Sequence, residues 1–190
     1  MKGKTVLYIV LATAAVIILA SAAGTYNSFV NMEENISGKE SQVKNRLQQR
    51  HDKMIQVVAA VEGLETHAED IYGMITDARA QYSGASSVSE LAEADAAEAA
   101  ALTSLLVVVE QNPNINASGA YFAYIDEVSG MENALAVARR DYNEAVQSFN
   151  AKVRRFPAVL FANLFGFRGN RSYWKINDGA DEIPLIDFED

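Results

Sequence analysis

The histidines are the first place to look for chemistry, because the chain has two of them and no cysteine. His67 lies among Glu65, Glu69 and Asp70, and the spacing of His67 and Asp70 puts both on one face of a helix. A helical metal site needs further ligands from a second helix, typically as Glu-x-x-His, and the chain contains no such motif. We therefore interpret this cluster as a solvated helix face and expect no bound metal.

Other signs of catalysis are weak. His51-Asp52 lies beside Arg46 and Arg50, and we interpret it as a capping or surface pair rather than as a general base. No candidate nucleophile lies in a motif typical of a strained turn, and the glycines at 166 and 169 do not form a phosphate loop. We expect no catalytic residue, no cofactor and no enzymatic activity. A hydrolytic enzyme is the weakest of the alternatives.

The chain begins with a segment that can cross a membrane. Residues 5–24 carry no charge, and a helix of this length is about 30 Å long, which matches the hydrocarbon thickness of a bilayer. The alternative is a cleaved signal peptide, since Lys2 and Lys4 precede the apolar run and residues 20–22 are small. Because the run is longer than a usual signal core, we favour a retained anchor.

The charges that flank this segment predict its orientation. Lys2 and Lys4 precede it, whereas no Lys or Arg follows until Lys39. The positive-inside rule then places the N-terminus in the cytoplasm. We expect a single-pass protein of the bacterial inner (plasma) membrane, with a periplasmic or extracytoplasmic domain and lipid contact through residues 5–24.

The net charge of −9 argues against nonspecific binding to nucleic acid. The charge is uneven, because residues 86–112 and 177–190 contain acidic side chains and no basic ones, while the segment between them is basic. We interpret these stretches as solvated helix faces. The alternative is complementary surfaces within or between subunits.

Apolar spacing predicts the helices. Residues 43–82 carry apolar side chains at intervals of three and four, which is typical of one long helix. Ser37-Gly38-Lys39-Glu40 resembles a capping box, so we expect this helix to begin near residue 38. A second capping box, Ser87-Val88-Ser89-Glu90, predicts a helix to about Gln111.

The strictest pattern is a heptad seam from Tyr124 to Phe149, which continues through Val153 and Phe156. We expect Tyr142 and Phe149 to be core residues of this seam. Asn143 and Asn150 are seven residues apart and share a face, which indicates hydrogen bonds between helices or, alternatively, a polar groove for a peptide or glycan. Pro157 should stop this helix, and a short one should follow over residues 159–165, closed by Gly166.

These elements predict an all-α fold, with an N-terminal transmembrane helix followed by an elongated antiparallel up-down-up helical bundle and a short fourth helix. The expected domains are an anchor (1–24), a juxtamembrane segment (25–37), the bundle (38–168) and an acidic, irregular tail (169–190). The helix lengths place residues 156–167 at the end of the bundle that is distant from the protein's own bilayer.

Aromatic and basic side chains are concentrated near that end. We predict an interface with another copy or a partner there, since a short helix cannot bury so many rings beneath itself. Capping of the core and insertion into an opposing membrane are the alternatives. The predicted interface residues are Phe161, Phe165, Phe167, Trp174, Arg154, Arg155, Arg168 and Arg171.

Motifs along nearly the whole chain resemble the LemA family. They are Tyr26-Asn27-Ser28-Phe29-Val30, Gln49-Arg50-His51-Asp52, Met54-Ile55-Gln56-Val57-Val58, His67-Ala68-Glu69, Ala78-Arg79, Ala138-Arg139-Arg140-Asp141-Tyr142-Asn143, Asn150, Arg155-Phe156-Pro157, Phe165-Gly166-Phe167 and Ile183-Pro184-Leu185-Ile186-Asp187-Phe188. The resemblance implies a membrane-anchored, mostly extended helical bundle without an established activity or cofactor. Some members are associated with building intracellular membrane compartments, which suggests scaffolding.

We therefore predict a membrane-anchored scaffold or assembly protein of the LemA type that forms a homo-oligomer at the membrane and is not an enzyme. The anchor confines copies to two dimensions, which raises their effective concentration. The alternative is an adaptor that docks a membrane protease or another envelope protein.

Overall fold

The computed structural model of the chain describes residues 2–60, 68–110 and 119–175. These residues form five helices and no strand, so the all-α fold class is confirmed. The helices are α1 (Lys2–Ala60), α2 (Ala68–Gly84), α3 (Val88–Glu110), α4 (Gly119–Arg154) and α5 (Ala158–Phe165).

The chain divides into two compact units. The anchor unit contains Met1–Glu40 and Asp141–Arg171, and the bundle unit contains Ser41–Arg140 and Ser172–Asp190. Helices α1 and α4 each contribute residues to both units, α5 belongs to the anchor unit, and α2 and α3 belong to the bundle unit.

Helix α1 continues through Ser37–Glu40 without a break, so the prediction of a new helix start near residue 38 is wrong. The physical reason is packing. The buried residues Phe29, Ile36 and Val43 are seven residues apart, so one helical stripe runs across the capping sequence. A local capping signal does not end a helix whose apolar face is buried on both sides of it.

The long helix predicted over residues 43–82 is two helices in the structure. The Tyr82 hydroxyl donates a hydrogen bond to the Lys44 carbonyl at 3.3 Å. In a single helix these residues would lie about 57 Å apart along the axis. Helix α2 therefore runs back along α1, and the bundle unit has one helix reversal more than the pattern predicted.

Helix α3 begins at the second capping box, as predicted. The Ser87 hydroxyl accepts a hydrogen bond from the Glu90 amide at 3.2 Å, and the Glu90 carboxylate accepts one from the Ser86 amide at 2.6 Å. These hydrogen bonds, led by those from Ser86, lower the pKa of Glu90 below its ordinary value. Helices α2 and α3 pack against each other.

Helix α4 runs antiparallel to α1. In the anchor unit, Phe149 packs on Phe29 with ring centroids 6.3 Å apart, and Lys39 pairs with Asp141 at 2.9 Å. The prediction that this helix points away from the anchor is wrong, because the extra reversal turns α4 back towards the N-terminal half of α1.

The predicted seam lies on the buried face of α4. The seam residues that are buried are Val128, Leu135, Ala138, Tyr142, Ala145, Phe149 and Val153. Phe156 does not continue it and is 80% exposed, because α4 ends at Arg154 ahead of Pro157. The Tyr124 side chain lies outside the described residues.

The short helix α5 closes as predicted. Gly166 adopts the left-handed conformation at φ 79°, and its amide donates to the Ala162 carbonyl. The Phe167 amide also donates to that carbonyl, at 3.0 Å. This C-cap turns the chain so that Phe167 follows directly after the helix.

Candidate functional site

A buried ion network lies in the bundle unit, centred on Arg50. Its guanidinium is fully buried and donates to Glu98 at 2.6 and 2.9 Å, to Asp95 at 2.8 Å and to Glu132 at 2.6 Å. Asp95 and Glu98 are three residues apart on α3, which puts both carboxylates on one face. Arg50 thereby links α1, α3 and α4.

The network extends to two further side chains. His51 Nδ1 lies 2.9 Å from Glu98, and Arg139 forms an ion pair with Asp95. Burial by itself opposes the charge on Arg50, but Glu98, Asp95 and Glu132 outweigh it and raise the pKa of Arg50. A guanidinium held in this way is permanently charged and cannot act as a base, so its role is to neutralise buried carboxylates.

The sequence interpretation of these residues was wrong. Arg50 and His51 are buried, whereas a surface pair was predicted, and Asp95 and Glu98 belong to a stretch that was interpreted as a solvated face. The sequence did indicate that Arg50 is buried, since it lies at helical spacing between the buried residues Leu47 and Met54. A charged residue in a buried stripe needs an opposite charge, and only packing shows which one supplies it.

A cavity of about 20 Å³ lies beside the network, lined in part by Leu47, His51, Ala78, Tyr82 and Glu98. This volume is close to that of one water molecule and far below that of an organic ligand site. His51 Nε2 is buried and has no hydrogen-bond partner among the described residues.

No group of three or more His, Cys, Asp or Glu side chains in the described part of the chain is placed to hold a metal. The predicted surface cluster around His67 lies outside the described side chains, apart from the exposed Asp70.

The structure places Tyr142 and Phe149 in the core of the anchor unit. Burial, and then the charge of Glu40, raise the pKa of the Tyr142 hydroxyl, while Arg171 opposes the shift. Asn150 exchanges two hydrogen bonds of 3.0 Å with the Arg171 backbone, so it fixes the segment after α5 onto α4. Asn143 lies nearby on α4 and is half-buried.

Residues 156–167, which carry many of the aromatic side chains, lie beside the anchor. The prediction that they are at the end of the bundle distant from the bilayer is wrong. Tyr26 lies two residues beyond the apolar run, and its ring contacts Phe165 at 5.2 Å and Phe167 at 5.7 Å between centroids. Phe167 also contacts Phe29, at 4.9 Å. Because α4 returns to the N-terminal half of α1, it carries α5 to this level of α1.

Several of the predicted interface residues have contacts within the chain. Trp174 is 3% exposed, so its ring is not on the surface as an interface would require. Arg171 pairs with Glu33 at 2.5 Å, and Arg154 donates to the Gly169 carbonyl. Phe161 is half-buried, whereas Arg155 and Arg168 are exposed. The role of this set in association stays a prediction.

Phe165 is 37% exposed, but the most exposed apolar side chains of this segment are not among the predicted interface residues. Phe156 is 80% exposed, Leu160 59% and Leu164 74%, and the three are four residues apart. Leu160 and Leu164 lie on the side of α5 opposite to the buried Ala162, and Phe156 precedes the helix. We call these three exposed side chains the α5 patch.

The N-terminal part of α1 is a second exposed apolar surface. Its side chains are more than half exposed from Val6 to Leu11 and from Val16 to Leu19. The helix is long and apolar enough to cross a membrane. The Thr13 hydroxyl donates to the Ile9 carbonyl at 2.9 Å, which satisfies this polar group within the helix.

The chain was compared with known proteins. The sequence model of the LemA family matches residues 39–188. Magnetosome proteins MamQ 1 and MamQ 2 of Paramagnetospirillum magneticum are each 26% identical, over 95% of this chain and 75% of theirs. Magnetosome protein MamQ of Magnetospirillum gryphiswaldense is 22% identical, over 85% of this chain and 68% of its own.

Proposed function

Because this chain belongs to the LemA family, we propose that it is a single-pass membrane scaffold that self-associates at the membrane and catalyses no reaction. It is a membrane protein by its apolar helix and its relatives. One observation carries the proposal: α1 is a single helix whose N-terminal part is exposed and apolar and whose later residues are buried in the domain. A continuous helix holds the domain to its anchor without a flexible linker.

The proposed topology places the N-terminus in the cytoplasm and the domain outside the bacterial inner membrane. Its support is the asymmetry of charge, with Lys2 and Lys4 before the span and Lys39 the first basic residue after it.

A non-enzymatic role is supported by the state of the buried charges. Arg50, Asp95 and Glu98 satisfy one another, whereas a catalytic group needs an open face towards a substrate. The cavity beside them has room for about one water molecule, so a substrate would have to displace the helices to reach them.

Self-association is supported by two small residues at the C-terminal end of the anchor. Ala20 and Gly24 are four residues apart and exposed, and a side chain built on Gly24 would meet nothing within 4 Å. Small residues at this spacing let two membrane helices approach closely. Confinement of the anchors to one plane adds to the effective concentration of the copies. The names of the MamQ relatives associate them with the magnetosome, which fits a structural role at a membrane.

The test is the mass of the full chain in detergent micelles, measured by light scattering. The unchanged chain should form an oligomer. Gly24→Leu should shift it towards monomer, because the larger side chain separates the helices. Ala15→Leu is the matched control, since Ala15 is exposed and lies two and a half turns away, on the opposite side of the helix.

A monomer for the unchanged chain would contradict self-association and favour the adaptor. A pull-down from native membranes would then be expected to recover a membrane protease or another envelope enzyme in a fixed ratio to this chain.

A further inference from the structure

Helix α5 is apolar on every side. Seven of its eight residues are apolar, with Asn163 the exception. One side packs within the anchor unit, where Ala162 is buried, and the other carries Leu160 and Leu164. A helix that is apolar all round belongs in a core or in lipid, and the exposed side of α5 is not in a core.

The position of α5 on α1 is known from ring contacts. Phe165 packs on Tyr26, which lies about 3 Å along the axis beyond Gly24, the last residue of the predicted span. The headgroup region extends about 5–7 Å beyond the hydrocarbon on each side of a bilayer. The C-terminal end of α5 is therefore at the level of the headgroups wherever the anchor spans the membrane.

The charged side chains in the segment that carries the α5 patch have one sign. Residues 154–170 contain Arg154, Arg155 and Arg168 and no acidic residue. All three arginines are exposed. Basic side chains beside an apolar helix face are typical of helices that lie in a membrane interface, where they attract anionic lipid headgroups.

We propose that the α5 patch is a second membrane-binding site, which inserts into the headgroup region of the same bilayer leaflet from which the anchor emerges, next to anionic lipid. The proposal rests on the span described under the proposed function. It adds a monotopic contact to the transmembrane one, so that each copy holds the membrane at two points.

A second copy is a less suitable occupant for this patch. In a twofold contact the same surface meets itself, so the exposed arginines of one copy would face those of the other. Like charges opposed in this way cost free energy. An anionic lipid surface attracts these arginines instead of repelling them. It also accepts Phe156, Leu160 and Leu164 without requiring a shaped groove.

The experiment uses the full chain in vesicles of phosphatidylcholine with phosphatidylglycerol. Because the chain has no cysteine, L164C gives one site for an environment-sensitive dye. I17C marks the middle of the anchor, and N35C marks an exposed position on α1 about 16 Å beyond Gly24. Nitroxide-bearing lipids quench dyes in the membrane, and iodide quenches dyes in water.

The expected result is that headgroup-level nitroxide quenches the dye at L164C and that iodide quenches it several-fold less than at N35C. Adding Leu160→Ser to L164C should restore iodide access, whereas the matched change Tyr72→Ser, at an exposed ring on α2, should not. Vesicles of phosphatidylcholine alone should give weaker nitroxide quenching, because the arginines lose their counter-charge.

The outcomes that overturn the proposal are distinct. If nitroxide placed deep in the bilayer does not quench the dye at I17C, the predicted membrane span is wrong and the proposal fails with it. If I17C is quenched but L164C behaves like N35C, the patch is in water. Shielding of L164C from both quenchers means that protein covers the patch. Quenching only by nitroxide in added, protein-free vesicles means that it binds an opposing membrane.

Discussion

Removing Arg50 should destabilise the protein more than removing any exposed arginine. Its guanidinium is fully buried and bonds three carboxylates at distances between 2.6 and 2.9 Å. In Arg50→Met the apolar stem is largely kept, but Asp95 and Glu98 lose a buried partner. An uncompensated charge of this kind costs about 3–5 kcal/mol.

The assay is thermal unfolding of the full chain in detergent micelles, followed by far-ultraviolet circular dichroism. For a chain of this size, 1 kcal/mol shifts the midpoint by about 2–4 °C, so Arg50→Met should melt about 6–20 °C lower. Arg46→Met is the control, because Arg46 is exposed one turn earlier on α1 and donates a hydrogen bond to Gln49 of the same helix. It should change stability by less than about 0.5 kcal/mol.

A further variant separates lost charge from lost packing. If unpaired carboxylates cause the loss, Asp95→Asn and Glu98→Gln added to Arg50→Met should recover part of the stability, since neutral groups are cheaper to bury. Equal midpoints for Arg50→Met and Arg46→Met would refute the buried network. A loss with no recovery would refute uncompensated charge as its cause.

Three other predictions concern the seam of α4, the N-terminal cap of α3 and the topology. Tyr142→Ala and Phe149→Ala should each cost about 3–5 kcal/mol in the same melting assay, whereas Phe156→Ala, at an exposed ring, should change the midpoint little. The pKa of Glu90 is below its ordinary 4.5, so its charge stabilises the fold above that pH, and this contribution disappears as pH falls through the lowered pKa. The melting midpoint of Glu90→Gln should therefore fall less steeply with acid than that of the unchanged chain. Equal dependence of the two midpoints on pH would contradict the cap. Protease added to intact spheroplasts should digest the domain, and protection until lysis would reverse the topology.

Periodicity predicted the faces of helices better than their ends. The stripe through Tyr142 and Phe149 was readable because a heptad repeat fixes which side of a helix is buried. The same spacing also continues from α1 into α2, so it could not show that these are two helices. Gly63 lies between them in the sequence, and glycine weakens a helix, but one glycine does not specify a reversal.

The missed helix had consequences for the site. Direction alternates along an antiparallel bundle, so one unrecognised helix reverses every later one. The position of Phe165 beside Tyr26 therefore could not follow from helix lengths. Arg50 was missed for a different reason, since the energy of a buried charge depends on partners that are 45 to 82 residues away in sequence.

The pairing of α1 with α4 sets an order for biogenesis. Phe29 emerges from the ribosome 120 residues before its partner Phe149, which is about 6–24 s at common rates of synthesis. Throughout that interval the anchor has been made, while Phe29 and Ile36 have no α4 to cover them. A chain that ends before Phe149 would contain the proposed anchor and lack the second half of its anchor unit. The α1 half of the anchor unit is therefore complete in sequence long before it can fold against α4.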